Sequence, residues 1–259
     1  MSITDITIAF FIYSLLGWSC EVAFSAVKLK TFVNRGFLNG PLCPIYGFGV
    51  LSVILLLQDY RHDTVLLYLL SVVVATILEL ITGIMLEKLF HHKWWDYSDR
   101  KFNIKGYICP QFSVVWGIAC VVVIKCIHPV VVKAVKLIPY KLSVIISIAL
   151  FVTLSIDLYI TIHEILKLNI KLEKMQLLAN EMERLSVHMG ENLSLGIINS
   201  MEKTENAKHK LEEMYNAHME NMSYTSKRLL RAFPRLDSVR YRTQLQFIKE
   251  HLKNKRKGK

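Results

Sequence analysis

The stretch VLLYLLSVVVATILELITGIML, Val65–Leu86, decides how this chain reads, because its only charged side chain is Glu79. A hydrocarbon core of ~30 Å needs about 20 mostly apolar residues in a helix rising ~1.5 Å per residue. Four further stretches are alike: Ile6–Val27, Pro41–Leu57, Ile108–Ile127 and Leu142–Ile162. Pro41–Leu57 is the shortest and carries Pro41, Pro44, Gly47 and Gly49. One such stretch fits the core of a soluble protein. Five in succession specify an all-α integral membrane protein with about five transmembrane helices.

Composition agrees. Of 259 residues, 53% are hydrophobic and 20% charged, and the net charge is +11. The mean hydropathy is +0.34. A positive value at ordinary charge content means that the two classes are segregated along the chain, which excludes disorder. The expected organisation is a transmembrane domain over 1–163, a cytoplasmic helical segment over 164–226 and a basic amphipathic tail over 227–259. Lys28, Lys30 and Arg35 lie in the first loop, and Lys88, Lys93, Arg100, Lys101 and Lys105 in the third. The segment before the first helix has no Lys or Arg, and the second loop has only Arg61. The positive-inside bias therefore puts the N-terminus outside and loops one, three and the C-terminus inside. Lys125, Lys133, Lys136 and Lys141 run against this, so residues 128–141 have no assigned side. The first apolar run lacks a basic flank and a small-residue cleavage site, unlike a signal peptide. Cys20, Cys43, Cys109, Cys120 and Cys126 sit in or beside apolar segments with no CxxC pair, which reads as buried free thiols.

The membrane half repeats itself. Phe32-Val-Asn-Arg-Gly-Phe-Leu38 aligns with Phe102-Asn-Ile-Lys-Gly-Tyr-Ile108, 70 positions later. At the same offset Cys43 meets Ser113, Tyr46 meets Trp116 and Gly47 meets Gly117, and upstream Glu21 is answered by Glu79. Two parallel helix-loop-helix repeats follow, about 6–57 and 65–127, with a fifth helix at about 142–162. Such repeats build a site at a pseudo-symmetric interface.

Glu21, Glu79 and Asp157 lie inside apolar spans, where an ionised carboxylate costs ~2.5–3.5 kcal/mol on insertion scales. Their similar depths predict one polar cluster facing the bundle interior; the alternative is that each caps a backbone group or pairs with a cation such as Arg35 or Lys105. The loop Asn34–Gly47 is dense in glycine and proline. Pro41 suits a first helical turn, Asn39 suits a cap, and free N–H groups beside Arg35 would suit an anion. The substrate-binding candidates are Glu21, Arg35, Gly36, Gly40, Pro41, Tyr46, Glu79, Lys105, Gly106, Ser113, Trp116 and Asp157. In the third loop Trp94, Trp95 and Tyr97 read as interfacial anchors. Glu87 with His91, and His92 with Asp96, are too sparse for a metal site, so no metal and no cofactor is expected.

Taken together, Gly17-Trp18…Glu21, Arg35-Gly-Phe-Leu-x-Gly-Pro-x-Cys-Pro-Ile-Tyr-Gly47, Glu79-x-x-Thr-Gly83, Trp94-Trp-Asp-Tyr-Ser98, Phe102-Asn…Gly106 and Ser113…Trp116-Gly117 resemble a bacterial family, the ABC-transporter type IV permeases, also called CmpB-like. The resemblance covers about residues 5–165, and Arg228–Arg235 is similar to a tail found on some members. It implies a multi-pass plasma-membrane protein with a permease role and no substrate or catalytic residues to carry over. Cys109-Pro-Gln111 departs from the usual pattern of the family.

In the tail, Ile165, Leu168, Leu172, Met175, Ala179 and Met182 follow heptad spacing, which suggests self-association, before Ser186, Gly190 and Gly196 interrupt it. A second apolar rhythm includes Leu211, Met214 and Met222. Arg228, Arg231, Arg235, Arg240 and Arg242, mixed with Leu229, Leu230, Phe233 and Tyr241, would lie on an anionic leaflet. Lipid is a nearer polyanion than nucleic acid, so nucleic acid is not an expected partner. The leading function is a permease component for an anionic or lipid-like substrate. Having no GxxxxGK[ST] loop, it would need a separate ATPase subunit, and its few helices imply a homodimer. The alternatives are a membrane-embedded enzyme acting on a lipid or isoprenoid phosphate, held second because no nucleophile motif is present, and a sensor or scaffold signalling through the tail.

Overall fold

A computed structural model describes residues 2–194, 206, 209–218 and 222–257. Helix α1 (Ile3–Leu29) starts where Ser2 and Asp5 form a capping box: Ser2 Oγ accepts from the Asp5 amide at 3.1 Å, and the Ser2 amide donates to Asp5 Oδ2 at 2.8 Å. It ends at Lys30 in the left-handed conformation, φ 52°. Helix α3 (Thr64–Phe90) starts on Asp63, whose carboxylate accepts from the amides of Val65 and Leu66, and ends at His91, φ 57°. Two helices start on a proline, whose missing N–H costs nothing in a first turn. These are α2 (Pro44–Leu57) and α4 (Pro110–Val122). Pro44 rather than Pro41 fills that place in α2, and Cys43 stands at the cap position without a capping hydrogen bond from its side chain, so Asn39 does not cap this helix.

All five apolar stretches are helical, and four lie in helices long enough to cross a bilayer: Ile3–Lys28, Thr64–Phe90, Pro110–Lys136 and Tyr140–Val187. The fifth, α2, is a shorter apolar helix that runs on through one 3-10 turn to Tyr60. The stretch without an assigned side resolves differently from a loop. After α4 a π-helical turn, Val123–Ile127, leads straight into α5 (His128–Lys136), leaving only a short turn before the next helix. Pro129 inside a helix would lose a hydrogen bond and collide with the preceding turn. The wide turn just before it absorbs that conflict.

Helix α6 (Tyr140–Ser194) has 55 residues, so no break separates the last apolar span from the segment expected to be cytoplasmic. Ser186 and Gly190 lie within it, and Gly196 lies outside the described residues. The chain divides into two compact units, Met1–Ile162 with Arg231–Leu236, and His163–Leu230 with Asp237–Lys259.

In the first unit α1 packs chiefly on α2, and α3 on α4. Ile8, Ala9, Tyr13, Val53, Ile54, Leu57, Leu67, Ile124, Val131 and Val135 form its core. Val65, Leu69, Val73, Ile77 and Ile81 form an exposed stripe at i,i+4 spacing along α3, and Ile145, Ile148, Val152, Ile156 and Tyr159 do the same along α6. Contiguous apolar faces of this size belong against lipid. With four apolar helices long enough to span a bilayer, this is an all-α membrane protein. In the second unit Ile165, Leu168, Leu172 and Met175 are buried, as are Leu229, Leu245 and Ile248. These heptad positions are thus covered within one chain, not presented to a second copy.

Candidate functional site

The two repeats are built around the same close approach. Gly47 lies against Phe10 and Ser14, and Gly117 against Tyr68 and Val72. The glycines are 70 positions apart and their neighbours 58 apart, so each α1–α2 contact has a counterpart between α3 and α4. A Cβ at either glycine would overlap those side chains. Gly17 admits the Tyr46 ring in the same way, and the residue 58 positions on is the equally small Ala75.

This packing brings the two acids together through aromatic rings. The Tyr46 hydroxyl donates to Glu21 Oε1 at 2.6 Å, and Arg35 Nε stands 3.6 Å from Glu21 Oε2. In the second repeat the Tyr97 hydroxyl donates to Glu79 Oε1 at 3.2 Å, and Trp116 lies beside the same carboxyl. Tyr46 and Trp116 meet edge to face with centroids 5.9 Å apart, so Glu21, Tyr46, Trp116 and Glu79 form one run across the repeat boundary. Tyr97 stacks on Phe112 at 4.7 Å and feels both Glu79 and Glu21. Burial raises the Tyr97 phenol well above its ordinary value, and the charge of Glu79 adds to the effect, so it remains a donor at any physiological pH.

The third acid does not join them. Asp157 Oδ1 accepts from the Asn39 amide and side chain, both at 3.0 Å, and Oδ2 accepts from the Gly40 amide at 2.7 Å. Asn39 Nδ2 also reaches Thr161 Oγ1 at 3.3 Å. The single three-acid cluster is therefore replaced by a pair plus one loop-binding carboxylate. The anion expected at the loop's N–H groups is the chain's own Asp157. Gly40 is the residue that lets Asp157 Oδ2 come so near; its Cβ would stand 3.1 Å from that oxygen. Pro41 is exposed on the loop.

The loops are otherwise held by asparagines. Asn34 Oδ1 accepts from Trp18 Nε1 at 2.8 Å and from the Gly36 amide at 2.9 Å. Asn103 Oδ1 accepts from the Gly106 amide at 3.0 Å, where φ is +76°. Ser113 is buried and donates to the Cys109 carbonyl at 3.3 Å, a helix-internal bond. Lys105 stands where the repeat places Arg35, yet it is exposed and makes no ion pair with Glu79; among the described residues no cation lies within 4.0 Å of that carboxylate.

Three loop aromatics face the protein instead of the headgroups. Trp94, 5% exposed, packs against Phe37, Phe90 and Phe233, with centroids 5.0, 6.2 and 5.0 Å away. Trp95 Nε1 donates to the Tyr107 carbonyl at 2.8 Å, and Tyr97 serves Glu79. In loops one and three the exposed aromatics are Phe32 and Phe102, which are equivalent in the repeat. Of the five tail arginines, Arg235 clamps Asp99 through both terminal nitrogens at 3.2 and 3.0 Å and donates to the Asp96 carbonyl at 2.7 Å. Arg228 is buried, and Arg242 Nε stands 2.9 Å from Asp237 Oδ2. Arg231, Arg235, Arg240 and Arg242 are exposed, and of these Arg235 and Arg242 are held in ion pairs.

Sequence reasoning missed the Tyr97–Glu79 bond, because Tyr97 sits in a loop the repeat does not share. It also missed the docking of Phe233 and Arg235 on loop three, where only the Arg-Ala-Phe-Pro-Arg run offered a signal. No curated protein and no solved structure matches the chain. The family model described as "Putative ABC-transporter type IV" matches residues 8–162, the span containing both repeats and all three acids. The chain belongs to that family, as an ABC-transporter-type membrane component.

Proposed function

We propose that this protein is a permease-type membrane subunit whose working centre is the run Glu21–Tyr46–Trp116–Glu79 between its two repeats. The observation that carries this is the convergence of both intramembrane carboxylates on one aromatic pair supplied by the second helix of each repeat. Ionisable groups in spans are expensive, and their conserved bundle-facing placement elsewhere marks solute and ion pathways. Arg35 and the free N–H groups of its loop suggested an anionic cargo, but Arg35 is engaged by Glu21, and the Asn39 and Gly40 amides by Asp157. The centre presents carboxylates and rings, which suits a cationic or neutral solute better than an anion.

The chain lacks a phosphate-binding loop, so the reading requires a separate ATPase, and its small bundle calls for a second copy. The long loops 30–43 and 91–109 carry Lys30, Arg35, Lys93, Arg100, Lys101 and Lys105, whereas the short opposite turns at 61–63 and 137–139 carry only Arg61. This supports loops one and three, and the C-terminus, on the cytoplasmic side of the plasma membrane. Among the alternatives, a phosphate-processing enzyme would find Arg35 already beside Glu21 and Lys105 away from the acids. The test is purification of the tagged full-length chain from its native membrane in mild detergent. A P-loop ATPase should copurify and hydrolyse ATP in reconstituted vesicles, with activity down at least tenfold in Glu79→Gln at unchanged melting temperature. Absence of an ATPase, or hydrolysis indifferent to Glu79, would contradict the reading.

A further inference from the structure

The repeats are alike in backbone and unlike in charge, and the difference falls on Glu79. Glu21 has Tyr46 at 2.6 Å and a counter-charge in Arg35. Glu79 has Tyr97 at a longer 3.2 Å, and its other oxygen, Oε2, is sealed from solvent without a hydrogen bond. Among the described residues that surround it, loop three brings Tyr97, and α4 brings the non-titrating Trp116. Across the repeat boundary α2 brings Tyr46, and α1 brings Glu21 with Arg35 committed to it. Lys105, the positional counterpart of Arg35, is exposed and elsewhere. No cation within 4.0 Å among the described residues therefore neutralises Glu79, while Glu21, across the aromatic pair, is an acid as well.

A carboxylate with a dry, unpaired oxygen in a membrane span escapes most of its burial cost by taking up a proton. A sodium ion or an organic ammonium would need space beside Oε2, and that atom is closed to a water-sized probe. A proton needs none. We propose that Glu79 is a proton-binding site of the membrane domain, occupied at neutral pH, with Glu21 and Arg35 as the fixed charge pair of the other repeat. The cargo or coupling ion of the centre is then a proton, which rests on and deepens the permease reading. Loading places the proton on Oε2, and release returns a carboxylate held by neutral donors, Tyr97 with Trp116 beside it, and by no cation. Tyr97 is a positioning residue, fixed by its stacking on Phe112.

Infrared spectroscopy of the full-length protein in lipid vesicles reads this directly, through the carbonyl stretch that a protonated carboxyl has and a carboxylate lacks. Wild type at pH 7 should show this band at about one per chain, lost in Glu79→Gln and kept in both Glu21→Gln and Asp157→Asn. Tyr97→Phe should keep the band and shift its frequency. Should Glu79→Gln fail to fold, carbon-13 glutamate labelling of wild type must shift the band, and Glu21→Gln must retain it. A wild type without the band, a band that survives Glu79→Gln, or a band that follows Glu21 or aspartate would overturn the proposal. The measurement uses neither solute nor ATPase, so it can fail while the permease reading stands, and the reverse.

Discussion

Gly47 and Gly117 do the same work in the two repeats, and neither works through backbone flexibility. Both sit in helices, with the flanking helix's side chains where a Cβ would be. Gly47→Ala and Gly117→Ala should each destabilise the domain by about 1–3 kcal/mol, the usual cost of overpacking. Thermal unfolding in detergent checks this. Gly49→Ala, with open space around it, should cost nothing beyond noise or stabilise slightly. At this scale the sequence announced Glu21, Glu79, Tyr46 and Trp116, because the repeat supplied both an acid and an aromatic donor in each copy. It did not announce the partner of Asp157. A carboxylate satisfied by two loop amides has no residue signature, since any residue carries an amide.

Among elements, loop three is where segment 231–236 docks. Phe233 meets the Trp94 ring edge to face, and Arg235 grips Asp99. The Arg235 hydrogen bond holds the Asp99 carboxyl below its ordinary value. A lowered carboxyl stabilises the contact above its free value, about 3.9, and the contribution is lost as pH falls through the lowered one. Pepsin digestion around pH 4 and below should therefore cut near residues 231–236 progressively faster as pH drops. Arg235→Ala should make the segment cleavable by neutral proteases at pH 7, and Asp99→Asn should abolish the acid dependence. Most helices were readable from their apolar runs. The extension through Pro129 was not, because proline reads as a helix stop and the compensating π turn has no sequence signal. The unbroken 55-residue α6 was split for a similar reason: a change from apolar to charged residues looked like a boundary, but helix propensity never lapses across it.

For the whole molecule, two parallel repeats and one further long helix place the long basic loops together on one side. Cysteine labelling in intact cells tests that arrangement, after the native cysteines are replaced. Phe102→Cys, in loop three, should react with a membrane-permeant maleimide and stay blocked to an impermeant one; His62→Cys, in the turn before α3, should react with both. The opposite pattern would invert the topology. Hydropathy carried the helices at this level, since it is a sum over many residues and tolerates local errors; the side assigned by charge bias is what the labelling tests. The pairing of the repeats was visible as a 70-residue offset, whereas the matching 58-residue offset of the supporting helices was hidden, because Phe10 and Ser14 are replaced by Tyr68 and Val72.

The central claim is that Glu21 and Glu79 belong to one centre. A double-mutant cycle on ATP hydrolysis by the complex from native membranes tests it, with Glu21→Gln, Glu79→Gln and both together, each at unchanged melting temperature. Residues acting as a unit are non-additive. The double variant should then be no more than about twofold worse than the weaker single variant. Losses that multiply, each substitution acting as if the other site were intact, would contradict a shared centre.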